Sequence, residues 1–214
     1  MSNEIQLVPL PLAKRILDVL ATSIIFLLLT PFFLFLLLFI AIEQIFIKDS
    51  RGPFLYSEKR ISGGQVFNFY KWRTFKVTAI EAALKAGPVI HTANLQKDLK
   101  NLTYYGRLLK RIYMDESPQL WNVLKGDMTL VGPRPTNLEN STNYKNTGDF
   151  TREIIKCGLT GPYQSEKGHA VRSQLELDRD YINFVSANSG WKVVFKDLTI
   201  ILKTIRIVLE AKGI

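Results

Sequence analysis

No residue between Asp18 and Glu43 carries a charge, and Val19 to Ile42 is almost wholly Leu, Ile, Phe, Val and Ala. As a straight helix that run is roughly 36 Å long at about 1.5 Å per residue, against a bilayer hydrocarbon core of about 30 Å. The chain therefore carries a segment that fits a membrane better than a soluble core. A cleaved signal peptide is excluded by the length of the run and by the lack of a polar, small-residue cleavage region before Glu43. Thr30-Pro31 falls near the middle. Pro31 has no amide hydrogen and its ring crowds the carbonyl of Leu27, so a bend or break of the helix is expected there. Both flanks are basic, with Lys14 and Arg15 before the run and Lys48, Arg51, Lys59 and Arg60 after it. Positive charge tends to stay cytosolic, which favours a hairpin entering and leaving by one face. A proline-kinked single span satisfies the same features.

The rest of the chain is polar enough to bring the mean hydropathy down to +0.06 despite 47% hydrophobic residues. Lys and Arg number 28 against 19 Asp and Glu, a formal charge of +9. That excess suits a polyanionic partner: anionic lipid, nucleic acid or a phosphate-rich substrate. A soluble nucleic-acid binder is disfavoured by the uncharged run and by the lack of any recognition motif. Cys157 is the only cysteine, so no intrachain disulfide can form, as suits a reducing compartment. With His91 and His169 it makes no spacing that would hold zinc.

Residues 1–47 read as a basic flank plus the membrane helix. Residues 48–214 read as a small mixed α/β (α+β) domain with short elements. Gly52-Pro53 and Ser62-Gly63-Gly64 are turns, Gln65–Phe69 a strand, and Ile80–Ala86 a short helix ended by Gly87-Pro88. The Asn- and Thr-rich stretch 137–149 reads as a loop. Trp191–Leu209 is a helix whose Lys192, Lys196, Lys203 and Arg206 share one sector of an otherwise apolar surface, a pattern suited to a membrane interface.

Chemistry concentrates around Asp115-Glu116. Ser117 and Pro118 follow as a helix cap and first helical residue, and Gly126 closes a helix of about two turns. The acidic pair thus precedes a helix N-terminus, where amides stabilise anions; acidic residues are also common there for stability alone. Cations surround them in sequence: Lys71 and Arg73 after the strand, Lys110 and Arg111 just upstream, and Arg134 in Gly132-Pro133-Arg134-Pro135. Set between two prolines of fixed φ, Arg134 can fork onto a phosphate. Carboxylates with several cations fit phosphoryl transfer from a diphosphate with bound Mg²⁺, one carboxylate attacking phosphorus and another holding the metal.

Asp115-Glu116-Ser117-Pro118-Gln119-Leu120, then Asn122 to Met128, then Val131-Gly132-Pro133-Arg134-Pro135 resemble the signature of the bacterial sugar transferases. These are the monotopic polyprenyl-phosphate phosphoglycosyl transferases of glycoconjugate and exopolysaccharide assembly. Lys71-Trp72-Arg73-Thr74, the hairpin from Arg60 to Phe67, and Gly158-Leu159-Thr160-Gly161 with Gln164 resemble further family motifs. The resemblance implies a re-entrant helix broken at Thr30-Pro31 and a catalytic domain on the cytoplasmic face of the bacterial inner membrane. It implies Asp115 as nucleophile, forming a phosphosugar-aspartyl intermediate from a UDP-sugar with release of UMP. Glu116 would help Asp115 hold Mg²⁺, polyprenyl phosphate would then take the phosphosugar, and Lys71, Lys110 and Arg134 would hold phosphate or orient the pair. The chain departs from the pattern at Ser117, where Leu is usual, and at Gly168-His169-Ala170, where a basic residue is expected. The sugar and the oligomeric state are not encoded in any of these motifs. A non-enzymatic basic membrane module would also explain the anchor and the charge, but not the ordered acidic pair.

Overall fold

The computed structural model describes residues 6–86, 95–168 and 172–210. His91, His169, Ala170 and the expected stop at Gly87-Pro88 lie outside them. The apolar run becomes helix α1, Leu12–Phe46, which is long and apolar enough to cross a membrane by length and composition. Its side chains are largely exposed, Leu27, Leu28, Leu34 and Leu38 among them. Helical backbone continues through Thr30 and Pro31, so the expected break is not a non-helical gap. A proline removes only one amide from the ladder. Beside it the Thr30 hydroxyl donates to the carbonyl of Phe26 at 2.9 Å, so one turn is reinforced where another is weakened.

By internal contacts the chain forms two units, Met1–Ile25, Glu58–Phe69 and Leu120–Ile214 in one, and Phe26–Ser57 with Tyr70–Gln119 in the other. Strands β1 (Leu55–Ser62) and β2 (Gln65–Trp72), whose residues 58–69 lie in the first unit, are joined through Gly63 and Gly64, whose φ values of +55° and +71° match a tight two-residue hairpin turn. Strand β3 (Thr129–Val131) pairs in parallel with β5 (Gly158–Thr160), and β4 (Thr136–Asn137) pairs antiparallel with β1, Arg60 opposite Asn137. Phe67, Phe69, Val123, Met128, Val131 and Ile155 build the core with residues of α7 (Gln174–Ala187) and α8 (Trp191–Leu209). Helix α7 opens on a full capping box between Ser173 and Glu176.

Helix α8 has the bounds its periodicity implied. Val193, Val194, Asp197, Ile200 and Ile207 face inward, while Trp191, Phe195, Leu202, Ile205 and Leu209 are exposed alongside the four basic residues. Asp197 receives Lys14 of α1 at 2.5 Å and the Tyr181 hydroxyl at 2.8 Å, and Asp18 accepts from Thr129 and the Leu130 amide. Buried charges of this kind persist only when fully bonded, so the start of α1 is tied to this unit by named partners. Cys157 is buried, its thiol donates to the carbonyl of Ile61, and burial pushes its pKa up to about 12.

The stretch expected to be a loop, 137–149, holds helix α5 (Leu138–Asn146), and α6 (Thr151–Ile154) follows it. Asn137 caps α5 by accepting from the Asn140 amide, and Ser141, on its buried face, bonds Glu153. Tertiary contact outweighs the weak helix propensity of Asn and Thr.

In the second unit, α2 (Val77–Ala86) begins three residues earlier than periodicity suggested, its start held by Asp49, which accepts from both the amide and the hydroxyl of Thr78. Helix α3 (Tyr104–Arg111) packs Tyr105 and Leu109 against Leu36 and Ile40 of α1, with Trp72 and Met114 alongside. Glu43 accepts from the amides of Tyr104 and Tyr105 at 3.0 and 2.9 Å and from the Ser50 hydroxyl. The last charge of α1 therefore occupies the positive end of α3.

Candidate active site

Gly106 sets how α3 lies. A Cβ there would stand 2.3 Å from the carbonyl oxygen of Thr74, so only glycine lets the helix approach that strand end. Thr103 caps the helix by accepting from the Gly106 amide, and its own amide donates to Thr74. At the other end the chain reverses at Tyr113, the one non-glycine with positive φ (57°) among the described residues. The Met114 amide then reaches back to the carbonyl of Leu109. This reversal brings Asp115 to the last turn of the helix it has just left.

There Lys110 meets Asp115 at 2.5 Å, and Lys71 of β2 meets Glu116 at 3.1 Å. Neighbouring carboxylates are thus divided between two ammonium groups from different elements. Trp72 fixes the backbone between them: its amide donates to the Asp115 carbonyl at 2.9 Å, and its indole N–H donates to the Ser117 hydroxyl at 2.9 Å. Ser117 in turn donates to the Met114 carbonyl. Ser117 was expected to cap the next helix. Instead its oxygen serves Trp72, residues 115–118 form turns, and helix α4 (Gln119–Lys125) begins after them. Gly126, at φ +83°, ends α4 as expected. Asp115 is buried to 9% exposure, while the side chains of Lys71, Lys110 and Glu116 are 23–28% exposed, so the two pairs reach solvent.

Not every cation proposed from sequence joins them. Arg73 donates to the carbonyls of Pro53 and Phe75, at 2.8 and 2.9 Å, and of Ser50. Its fork is used up on backbone, because the turn 50–53 leaves carbonyls that only a planar multi-donor group can satisfy together. Arg111 is exposed and takes part in neither pair. Arg134 belongs to the other unit, on the loop after β3. The Gly132 amide donates to Thr160 and the Gly158 amide to Pro133, each at 2.9 Å, and a Cβ at Gly158 would lie 2.1 Å from the Gly132 nitrogen. Trp72 and Tyr113 were the residues that sequence reasoning missed. Trp72 stood beside Lys71 in a family-like motif, but nothing in the sequence tells that its indole would reach Ser117.

The sequence profile described as bacterial sugar transferase matches residues 10–211. The chain is 31% identical to the galactosyl transferase CpsE of Streptococcus agalactiae over 78% of this chain and 37% of that protein. It is 31% identical to the undecaprenyl-phosphate galactose phosphotransferase of Salmonella typhimurium, over 94% of this chain and 41% of the relative. With the UDP-glucose:undecaprenyl-phosphate glucose-1-phosphate transferase of Caulobacter vibrioides it shares 34% identity over 92% of this chain and 72% of the relative. The chain thus spans about two fifths of the length of the first two.

Proposed function

The chain belongs to the bacterial sugar transferase family, and from that premise we propose that it moves a sugar 1-phosphate from a UDP-sugar to polyprenyl phosphate. The observation carrying this reading is the division of Asp115 and Glu116 between Lys110 and Lys71. A carboxylate that attacks phosphorus must be ionised, fixed in place and near cations that accept the charge of the entering phosphate. Asp115 is held in place by Lys110, and Lys71 stands on the adjacent Glu116. One of its oxygens would attack the phosphorus that bears the sugar, the bond to the bridging oxygen would break, and UMP would leave. A phosphate oxygen of the polyprenyl phosphate would then attack the same phosphorus and release Asp115, leaving a polyprenyl-diphosphate sugar. Lys110 and Lys71 would hold phosphate oxygens as the charge shifts. The names of the Salmonella and Caulobacter relatives, which specify undecaprenyl phosphate with galactose or glucose 1-phosphate, support the substrate class.

The donor set also fits Mg²⁺, which takes one or two carboxylates and completes its shell with water and substrate phosphate. The adjacent Asp115 and Glu116 would be its protein ligands; among the described residues no group of three or more His, Cys, Asp or Glu could hold an ion. The ion would neutralise the diphosphate. In the same reading residues 1–47 anchor the chain, α8 lies on anionic lipid with its exposed apolar and basic residues, and residues 48–214 work at the cytoplasmic face of the inner membrane. The basic flanks of α1 support that orientation.

A panel of UDP-sugars with a short polyprenyl phosphate, scored by UMP release, tests the reaction. Asp115→Asn should abolish both turnover and the exchange of UMP into UDP-sugar, and EDTA should stop the wild type. UMP release by Asp115→Asn in proportion to added polyprenyl phosphate would replace the covalent route with a single displacement.

A further inference from the structure

The loop Gly132-Pro133-Arg134-Pro135 is gripped along its backbone. Beyond the two bonds to β5, its next carbonyls are taken by arginine side chains. Arg152 Nε donates to the Arg134 carbonyl at 3.3 Å, and Arg60 Nη1 donates to the Pro135 carbonyl at 2.9 Å. Both donors are themselves fixed. Arg60 pairs with Glu58, and its guanidinium lies 3.9 Å from the centroid of the buried Phe69 ring. Arg152 is 4% exposed, pairs with Asp149 at 2.9 Å and Asp178 at 3.0 Å, and sits 5.0 Å from the Tyr144 ring centroid.

The consequence follows from the dihedrals. Pro133 and Pro135 fix their own φ through their rings. A peptide plane is rigid, so holding a carbonyl oxygen holds the ψ of its residue. The Gly158 amide sets ψ at Pro133, Arg152 sets it at Arg134, and Arg60 sets it at Pro135. With its neighbours fixed on both sides, the Cα–Cβ bond of Arg134 has one direction. A buried arginine is costly unless every donor is used, and here part of that cost goes to holding the backbone of another arginine.

We propose that Arg60 and Arg152 are positioning residues that set the pose of Arg134 as a phosphate-binding fork. This rests on the reading of Arg134 as a phosphate fork. Lysine at either place keeps the charge but not the geometry. In the full chain, Arg60→Lys and Arg152→Lys should each lower kcat/KM about 10-fold for the UDP-sugar that the wild type turns over, because a small misplacement of a binding group is costly. In an Arg134→Ala background the same changes should cost less than about 2-fold, since effects through one shared residue do not add. Equal losses in both backgrounds would overturn the proposal.

Hydrogen–deuterium exchange supplies a readout that needs no turnover. The peptide covering 130–137 should exchange faster in both lysine variants while the rest of the chain exchanges as wild type; unchanged exchange there would also overturn it. Should Arg152→Lys fail to fold, Arg60→Lys decides on both measures. Wild-type kcat/KM in Arg134→Ala alone would remove the phosphate-fork reading, and the exchange data would still decide whether the two arginines hold the loop.

Discussion

Two adjacent carboxylates repel one another unless each finds its own counter-charge, and at about 4 Å that repulsion reaches roughly 4 kcal/mol in a partly screened site. Lys110 and Lys71 supply those counter-charges from separate elements. Removing one should therefore disturb the site far more than removing a neighbouring cation outside it. Lys110→Met should lower the rate of UMP release by about 100-fold or more, on the scale of a lost charge-stabilising donor, whereas Arg111→Met should stay within about 3-fold. Equal losses would show that bulk positive charge, not the Lys110–Asp115 contact, sustains the reaction. The acidic pair, Lys71 and Lys110 were legible in the sequence because motif and charge coincide there. Arg73 was not. Its three carbonyl targets lie at residues 50, 53 and 75, and only the folded turn brings them to one guanidinium.

Elements inherit their positions from a few close approaches. Gly106→Ala would drive a methyl group into the Thr74 carbonyl, and should destabilise the fold by about 3 kcal/mol while shifting α3 and with it Lys110. Gly148→Ala is the control. Its Cβ would meet nothing within 4 Å, so only the left-handed φ of +79° is strained, costing about 1 kcal/mol. Thermal unfolding in detergent distinguishes the two, and only Gly106→Ala should also slow UMP release. Legibility at this scale tracked local signal. Helix α8 has a run of apolar residues long enough to fix both its ends, and the Gly63-Gly64 turn is set by residue type alone. Helix α5 was invisible because its Asn- and Thr-rich sequence is weakly helical by itself. What holds it is the contact of Ser141 with Glu153, twelve residues along.

At the scale of the whole molecule, buried charge links stability to pH. Burial pushes the Asp178 carboxyl up to about 6 from an ordinary 3.8, against the pull of Arg152. Between these values the folded protein retains a proton that the unfolded chain has lost, so this group's contribution to stability falls as pH rises from about 4 to about 6 and is flat above. Asp178→Asn removes that titration. Relative to the wild type, the variant should gain stability across this window and hold a constant offset above about pH 7, as unfolding at a series of pH values would show. The membrane arrangement is tested by thiol placement. Gln6→Cys and Ser57→Cys should react with an impermeant reagent only after the inner membrane is opened, and Pro31→Leu, which restores the missing amide of α1, should expose Gln6→Cys in intact spheroplasts. Labelling of Gln6→Cys at the outer surface without that change would establish a crossing helix.

Those experiments draw on one further property of the chain. Cys157 is enclosed, its thiol donates a hydrogen bond to the Ile61 carbonyl, and almost none of it is thiolate at neutral pH. The native protein is therefore silent toward maleimides and spin labels. Every introduced cysteine can report alone, with no native residue replaced to make room for it.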